Sequence, residues 1–301
     1  MEYILHLLIL ICIYTILSQS LSLVAGYSGQ ISLAHAGFYG IGAYSAALMA
    51  VNFGTPAILN LIIALLISGI IAFIVAKVAV KTVDDYYVVI TLGIQVVIYS
   101  IMNNWQSVTN GPLGISGIPT ISLFGVPLES KWAFLALSVV LTALVWFILH
   151  NIMKSPFGRV LRALSEDEIY TDSLGKNVGQ AKVVSFVISG MLASIVGVLY
   201  AYYISYIDPT SFTLDESIFI LSIVIIGGMR NLSGVFFAAV FLVLLPEVLR
   251  FVGMPSSIAA NMRQIIYGIA LVVVVSRKKT VHRSPITPQS HPIQPNDSKQ
   301  K

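Results

Sequence analysis

The sequence predicts an all-α polytopic membrane protein with about 8–10 transmembrane helices, some of them broken by glycines. Of its 301 residues, 57% are hydrophobic and 10% are charged, whereas ordinary soluble domains carry roughly 25% charged residues. The charges are also unevenly spread, because no Asp, Glu, Lys or Arg lies between Glu2 and Lys77. A helix of about 20 apolar residues crosses the roughly 30 Å hydrocarbon core of a bilayer, so these runs exclude a soluble fold.

Nine apolar segments are expected to form helices in order along the chain. They cover residues 3–24, 31–52, 57–79, 87–103, 132–151, 182–205, 216–226, 233–251 and 258–276. The segment 216–226 is too short to cross a bilayer alone, and glycines and prolines between 111 and 127 predict a long irregular connection. We expect residues 1–276 to form one transmembrane domain. The tail, 277–301, has too little apolar content to fold and is predicted to be disordered and cytoplasmic.

The basic residues predict the orientation of the chain, because Lys and Arg in short loops favour the cytoplasmic side. If every segment crosses and the tail lies inside, the N-terminus is outside and the loop 154–182 is cytoplasmic. All but three of the 17 Lys and Arg residues then lie inside, the exceptions being Lys131, Arg250 and Arg263. A single re-entrant segment would move the N-terminus to the other side. The sequence therefore predicts a multi-pass protein of a cell membrane.

The first candidate functional region interrupts an apolar span with glycines and polar side chains. Its candidate pathway residues are Gly26, Ser28, Gly29, Gln30, Ser32 and His35. A broken helix exposes backbone N–H and C=O groups, which a membrane tolerates only where protein or a watery cavity receives them. This favours a lining role in a translocation pathway. The alternative is tight helix packing through small residues, and His35 by itself is more typical of a packing histidine.

A second glycine-containing interruption, residues 225–234, lies in the other half of the chain and includes Gly227 and Gly228. Broken segments in both halves are typical of transporters built from inverted repeats, which favours a pathway role for these glycines. A plain cytoplasmic turn carrying Arg230 explains the same residues. The sequence leaves both interpretations open.

The loop 154–182 is the third candidate region. Ser165 is expected to cap a short helix, with Glu168 completing a capping box and acids favoured in the first turn by the helix dipole. Leu174 lies near the far end, and Gly175 suits the left-handed conformation that follows a helix. The result would be an amphipathic helix of roughly two to three turns. It is either a solvated loop or a docking element for a soluble partner.

Other classes of protein are disfavoured by the composition. The single cysteine, Cys12, excludes an intramolecular disulfide and a Cys-ligated zinc or iron–sulfur site. The basic residues flank apolar spans and do not cluster with aromatics, so no nucleic-acid partner is expected. No convergent set of His, Asp and Glu suggests a membrane enzyme, and no cofactor is expected. An ion-coupled secondary transporter is an alternative, because His35 is an ionisable group deep inside a predicted span.

Several runs resemble one family, in the same order along the chain. They are 26–44, which starts Gly-Tyr-Ser-Gly-Gln-Ile-Ser-Leu-Ala-His-Ala-Gly, then 85–93, 103–104, 111–119, 158–163 with 166–168, and 227–229 with 232–234. Together they resemble the LivM-type permease subunit of the branched-chain amino acid ABC importer family, over residues 15–275 of this chain. Relatives often carry Glu and Arg soon after the Thr91-Leu92 pair. This chain has Val96 and Tyr99 there, a departure that argues against an ion pair at these positions.

The resemblance implies an ABC importer permease fold and a role in carrying branched-chain amino acids across a prokaryotic cell membrane. Its implied partners are a second, LivH-like permease, two cytoplasmic ATP-binding subunits and an external solute-binding protein. The coupling helix that docks on an ATP-binding subunit would include Glu166, Asp167, Glu168, Leu174 and Gly175. The chain has no Gly-x-x-x-x-Gly-Lys-Ser/Thr loop, so partner subunits would hydrolyse the ATP. An ABC permease for urea or amides is the related alternative.

In the implied mechanism, the ATP-binding subunits apply force at the cytoplasmic side, and the solute-binding protein delivers substrate at the opposite side. Closure of the ATP-binding subunits would move the coupling helix, and the permease helices would rock between outward and inward access. Charges predicted to lie outside are candidates for docking the solute-binding protein. They are Glu129, Asp208, Asp215, Glu216, Glu247, Arg250 and Arg263.

Overall fold

A computed structural model describes residues 1–80, 82, 85–123, 126–128, 130–251, 268 and 272. Six helical stretches in these ranges are long and apolar enough to cross a membrane. They cover Glu2–Tyr27, Ala57–Ala79, Tyr86–Asn104, Lys131–Lys154, Val178–Ile204 and Pro209–Gly227. The predicted all-α polytopic membrane fold is confirmed. The expected helix 258–276, apart from residues 268 and 272, and the tail 277–301 lie outside the described residues.

The first two helices are separated by a break that another helix stabilises. Helix α1 (Glu2–Ser22) continues through a π-helical turn (Leu23–Tyr27), and the next helix begins only at His35. Its start was predicted at residue 31, so the break is longer than the sequence indicates. The backbone N–H of Leu33 donates to Thr91 Oγ1 at 3.1 Å. A distant side chain therefore satisfies an N–H group that a continuous helix would satisfy itself, as a membrane interior requires.

The remaining elements follow with mostly short connections. The first set is α2 (His35–Phe53), α3 (Ala57–Ala79), α4 (Asp85–Asn104), α5 (Gln106–Thr109), a 3₁₀ turn (Gly111–Leu113), β1 (Ile115–Ser116), β2 (Ser122–Leu123) and β3 (Val126–Pro127). The second set is α6 (Lys131–Lys154), α7 (Pro156–Glu166), α8 (Glu168–Ser173), α9 (Val178–Ile204), β4 (Tyr206–Ile207), a 3₁₀ turn (Pro209–Phe212), α10 (Leu214–Gly227) and α11 (Leu232–Phe251). Strands β2 and β3 form an antiparallel hairpin, and β1 pairs antiparallel with β4, with Ile115 opposite Ile207.

Helix α2 lies inside the bundle and is buried along most of its length. Because it faces other helices, it tolerates the glycines and tyrosines that keep it out of the six most apolar stretches. It packs closely on α9. A Cβ added at Gly42 would overlap the backbone of Ser194, and one added at Gly197 would overlap the backbone of Tyr39 and Ala43. Glycine at these positions lets the two helix backbones meet.

Two later helices complete the comparison with the predicted segments. Helix α9 begins at Val178, ahead of the predicted residue 182, and the Asn177 side chain caps it by accepting from the Gln180 N–H at 2.9 Å. Helix α10 has 14 residues, so the segment is indeed short. With the 3₁₀ turn before it, α10 forms the apolar stretch Pro209–Gly227 of 19 residues.

The bundle has a basic end and an opposite end. The basic end holds the π-helical turn, α7, α8 and the α10–α11 turn, with Lys77, Lys154, Arg159, Arg162, Lys176, Lys182 and Arg230. At the opposite end, Glu2 pairs with Lys131 at 2.5 Å, and His6 Nδ1 lies 2.7 Å from Tyr203 Oη. By the positive-inside rule, the basic end is the one expected to face the cytoplasm.

Candidate functional site

A cavity of about 940 Å³ lies at the basic end, between residues 28–34, which we call the broken segment, and the α7–α8 pair. The broken segment and the helix pair each contribute three of the residues singled out from the sequence: Ser28, Gly29 and Gln30 from the first, and Glu166, Asp167 and Glu168 from the second. The first and third predicted regions therefore share one cavity. One wall combines glycine with uncharged polar groups, and the facing wall is acidic.

The short helix of the third region begins later than predicted, and the capping box expected at Ser165 is wrong. Ser165 lies in the last turn of α7 and donates from Oγ to the Arg162 carbonyl oxygen at 2.8 Å. Asp167 caps α8 instead, since its Oδ1 accepts from the Tyr170 N–H at 2.9 Å. Helix α7 continues past Leu164 because that side chain is buried in the bundle. This leaves α8 only six residues, shorter than expected.

Helix α8 is anchored on one side and exposes apolar side chains elsewhere. Glu168 Oε2 lies 2.6 Å from Nζ of Lys182, whose side chain is only 10% exposed. Ile169 and Leu174 are 83% and 57% exposed. Gly175 follows the helix with a φ of +73°, the left-handed conformation that the sequence predicted. Exposed apolar side chains grouped on one short helix favour an interaction surface.

Arg230 connects the second and third regions, a contact that its local sequence does not predict. Its Nη1 donates to Glu166 Oε1 at 2.8 Å, and its Nη2 donates to Ser165 Oγ at 2.7 Å. Its Nε donates to the Gly26 carbonyl oxygen at 3.3 Å. The Arg230 and Glu166 side chains are 40% and 69% exposed, so their ion pair contributes at most about 1 kcal/mol to stability.

The glycine-containing segments of the two halves pack on each other at the basic end. A Cβ added at Gly26 would overlap the backbone of Met229. Ser22 Oγ donates to the Met229 carbonyl oxygen at 2.8 Å, and Tyr27 Oη donates to the Arg230 carbonyl oxygen at 2.7 Å. A second cavity, of about 480 Å³, is lined by both segments. The requirement for glycine at position 26 follows from this direct backbone contact.

Five of the candidate pathway residues line the two cavities. Ser28, Gly29 and Gln30 line the larger one, while Gly26, Gly29 and Gly228 line the smaller one. Gly29 and Gly228 have φ values of +74° and +92°, which favour glycine. Five of the eight predicted pathway residues therefore lie at cavity walls, and their role in translocation stays a prediction.

The other three candidates, Ser32, His35 and Gly227, contact protein and line neither of these cavities. Ser32 is fully buried. His35 is 2% exposed, and its Nε2 lies 2.8 Å from Ser20 Oγ. A Cβ added at Gly227 would lie 2.5 Å from Val235 Cα, where α10 meets α11. These contacts match the packing alternative for Ser32 and His35, and Gly227 ends α10 next to the turn that was its alternative interpretation.

Two polar residues of α4, Thr91 and Gln95, hold the broken segment and are absent from the set predicted from the sequence. Their exposed fractions are 0% and 1%. Thr91 Oγ1 accepts from the Leu33 N–H at 3.1 Å, and Gln95 Oε1 accepts from the Gly37 N–H at 2.6 Å. A spacing of four residues puts both on one face of α4, which is the signal that the sequence offers.

One face of α1 carries buried polar atoms without hydrogen-bond partners. Among the described residues, Thr15 Oγ1, Ser18 Oγ and Gln19 Oε1 are unpaired. Gln19 Nε2 donates to the Leu232 carbonyl oxygen at 3.5 Å, so this face meets the start of α11. A buried polar atom left unpaired costs about 1–3 kcal/mol, and these three therefore weaken the packing of α1.

The remaining charged residues form no further chemical centre in the described ranges. Asp208 accepts from Thr210 Oγ1 at 2.7 Å and from Ser211 Oγ at 2.9 Å, so both of its carboxylate oxygens are used in its own turn. No three His, Cys, Asp or Glu side chains in those ranges group to hold a metal ion. Outside the described parts lie Glu129, Arg263 and the side chain of Arg250.

Residues 3–275 match the family described as branched-chain amino acid transport system / permease component. The high-affinity branched-chain amino acid transport system permease protein LivM of Salmonella typhimurium is 35% identical, over 79% of this chain and 61% of that protein. The protein of the same name in Escherichia coli is 34% identical, again over 79% of this chain and 61% of that protein. The probable branched-chain amino acid transport permease protein LivM of Methanocaldococcus jannaschii is 29% identical, over 58% of this chain and 52% of that protein. No solved structure matches the chain significantly.

The family match includes both broken segments, the two cavities and the α7–α8 pair. This chain spans about 61% of the length of the two bacterial relatives. The six apolar helices in the described part of the chain, together with its permease relatives, make it a multi-pass protein of a prokaryotic inner membrane. The family indicated by the sequence motifs is confirmed, and the chain belongs to the branched-chain amino acid transport system permease family.

Proposed function

We propose that this chain is the membrane-spanning permease subunit of an ATP-driven importer of branched-chain amino acids. With a second, LivH-like permease it forms the translocation pathway. The observation that carries the proposal is the shared cavity, where Ser28, Gly29 and Gln30 face the acids of α7 and α8. An element suited to receive force thus adjoins the wall of a cavity in the membrane-spanning bundle. The family match supports the transport role.

Two cytoplasmic ATP-binding subunits are the proposed source of that force, and one of them docks on α8. The exposed Ile169 and Leu174 offer the apolar contact. The ion pair between Glu168 and Lys182 attaches α8 to α9, so a push on the exposed side of α8 reaches a long membrane helix. ATP hydrolysis belongs to the partners in this proposal, and this chain has no catalytic role.

An external solute-binding protein is proposed to deliver the amino acid at the opposite end of the bundle. The broken segment offers the cavity small and uncharged polar groups from Ser28 to Gln30, with no formal charge. The charges of this cavity come from the facing side, where Lys182 is paired with Glu168, so the uncharged wall itself offers no countercharge that would hold a zwitterion. Selectivity then comes from the solute-binding protein. Movement of α7 and α8 changes access to the cavity and completes the transport cycle.

Charged substitutions on α8 test the docking role. Ile169→Arg and Leu174→Arg place a charge on the exposed surface while sparing the ion pairs of Arg230 and Lys182. We expect each to lower co-purification of the ATP-binding subunits and uptake of labelled leucine by at least about tenfold, because an unpaired charge is costly to bury at an interface. Leu113→Arg, at a residue 82% exposed at the opposite end, is the matched control.

Normal co-purification and uptake in both α8 variants would contradict the docking role. Glu166→Arg is a less specific test, because it also breaks the ion pair with Arg230. Gly175→Pro gives an independent one. Proline cannot adopt the φ of +73° that Gly175 has. The end of α8 must therefore rearrange, and uptake is expected to fall.

A further inference from the structure

One side chain bonds the α10–α11 turn to two other elements at the basic end. The Arg230 guanidinium donates to Glu166 at 2.8 Å and to Ser165 at 2.7 Å, both in the last turn of α7. It also donates to the carbonyl oxygen of Gly26 at 3.3 Å, in the π-helical turn. We name these three hydrogen bonds the Arg230 bridge. The bridge joins α7 to the backbone that leads directly into the broken segment.

The π-helical turn and the α10–α11 turn also hold each other without the bridge. Ser22 donates to the Met229 carbonyl oxygen at 2.8 Å, and Tyr27 donates to the Arg230 carbonyl oxygen at 2.7 Å. These two turns therefore behave as one unit. Helix α7 reaches that unit through the bridge, through direct packing on the π-helical turn, and through Arg162, whose guanidinium lies 5.9 Å from the Tyr27 ring centroid. At that distance a cation–π contact is near its limit, so the bridge supplies the directional polar bonds between α7 and the unit.

We infer that Arg230 is a positioning residue that carries the movement of α7 and α8 to the broken segment 28–34. The inference rests on the proposed function, since partner subunits must move α8. Tyr27 is followed directly by Ser28, Gly29 and Gln30, which line the larger cavity. A displacement of α7 at Glu166 is therefore transmitted through Arg230 to the cavity wall within a few residues.

The chemistry of arginine suits this task. A planar guanidinium offers five N–H donors in fixed directions, and here it donates to a carboxylate, a hydroxyl and a backbone carbonyl together. Lysine has a single point charge and cannot reproduce this fork. The pair is also half-exposed, so it can break and reform in water during a cycle. Arg230→Lys should therefore retain membrane insertion and the ion pair with Glu166, and lose the part of the transmission that the bonds to Ser165 and Gly26 carry.

The experiment follows the cavity wall by thiol labelling in the assembled importer in liposomes. Cys12→Ala removes the chain's single cysteine, and Ile31→Cys places a reporter that lines both cavities. The rate of N-ethylmaleimide labelling is compared with and without ATP and vanadate. We expect Arg230→Glu to reduce the ATP-dependent change in rate at least about fivefold while the ATP-binding subunits still co-purify. Adding Glu166→Arg should restore at least about half of the change, because the ion pair reforms with reversed charges.

The controls separate this inference from the function on which it rests. Lys154→Glu makes the same change in net charge at the basic end and should keep the parent response. If Arg230→Glu does not reach the membrane, Arg230→Gln replaces it. This variant removes the positive charge without reversing it, and its ATP-dependent change in labelling rate is compared with that of the parent. An unchanged ATP response in Arg230→Glu or Arg230→Gln, or no recovery in the charge-swapped pair, would overturn the inference alone. A parent complex whose labelling ignores ATP would overturn the proposed function and the inference with it.

Discussion

Gln95 on α4 donates a hydrogen bond from Nε2 to the carbonyl oxygen of Phe212, at 2.8 Å. Its Oε1 accepts from the Gly37 N–H at 2.6 Å, so one carboxamide serves both the start of α2 and the 3₁₀ turn before α10. The ring of Phe212 packs on the ring of Tyr39 on α2, with the two ring centroids 4.8 Å apart. A single buried side chain therefore ties the start of α2 to the turn that precedes α10.

Gln95→Leu is expected to lower the free energy of unfolding by about 1–3 kcal/mol, because it leaves the Phe212 carbonyl and the Gly37 N–H short of a partner. Thermal unfolding in detergent measures the change. Gln106→Leu is the matched control, since Gln106 is exposed on α5, and a surface substitution should change stability by less than about 0.5 kcal/mol. Equal stabilities of the two variants would contradict the role of Gln95.

Two glycine substitutions in helix interiors should behave in opposite ways. Gly197→Ala is expected to destabilise the protein by about 1–3 kcal/mol or more, because the added methyl group overlaps the backbone of Tyr39 and Ala43. Gly93→Ala, on α4, places its methyl group where nothing lies within 4 Å. That change should be neutral or gain up to about 1 kcal/mol from helix propensity. Fluorescence-detected melting of both variants, run side by side, decides the comparison.

The ion pair between α8 and α9 predicts an asymmetry between its two partners. Glu168→Ala leaves the Lys182 ammonium, 10% exposed, without its countercharge and should cost about 1–3 kcal/mol. Lys182→Met leaves behind a carboxylate that is 46% exposed and hydrated, so its cost should stay below about 1 kcal/mol. Unfolding in SDS titrations measures both. A larger loss in Lys182→Met than in Glu168→Ala would show that the burial argument fails.

The unpaired hydroxyl of Ser18 predicts an uncommon result for a buried serine. Ser18→Ala should leave stability unchanged or raise it by up to about 1 kcal/mol, because it removes a polar atom without a partner. Ser189→Ala, also buried, removes a donor to the Ser20 carbonyl oxygen at 2.5 Å and should cost about 1 kcal/mol. Equal losses in the two variants, measured by thermal unfolding, would mean that water pairs with Ser18.

Helix positions could be predicted where the pattern is local. Helix α3 was predicted at its observed bounds, Ala57–Ala79, because Pro56 precedes it and the apolar run is uninterrupted. The start of α2 could not be predicted in the same way. Its first N–H groups, those of Ala36 and Gly37, bond to Ser217 and Gln95, which lie 181 and 58 positions away. No local pattern contains such contacts.

The candidate site shows the same difference between features that depend on local sequence and contacts between distant residues. The left-handed Gly175 is a local feature and was predicted in its observed place, whereas the acids predicted in the first turn of one helix lie at the end of α7 and the start of α8. The capping residue was misassigned, because a capping box cannot reveal that Leu164 is buried and extends α7. The bond of Arg230 to Glu166 spans 64 positions and depends on how the turns pack. The sequence therefore singled out both sets of residues but predicted neither that they share a cavity nor the bonds that join them.

Uptake by purified proteins in liposomes tests the central claim most directly. The chain is reconstituted with a LivH-like permease, two ATP-binding subunits and a solute-binding protein, and accumulation of labelled leucine is measured with and without ATP. The account predicts uphill accumulation that requires ATP and every subunit, and none by this chain alone. Sustained uphill accumulation by the chain alone, or accumulation driven by a proton or sodium gradient without ATP, would contradict it.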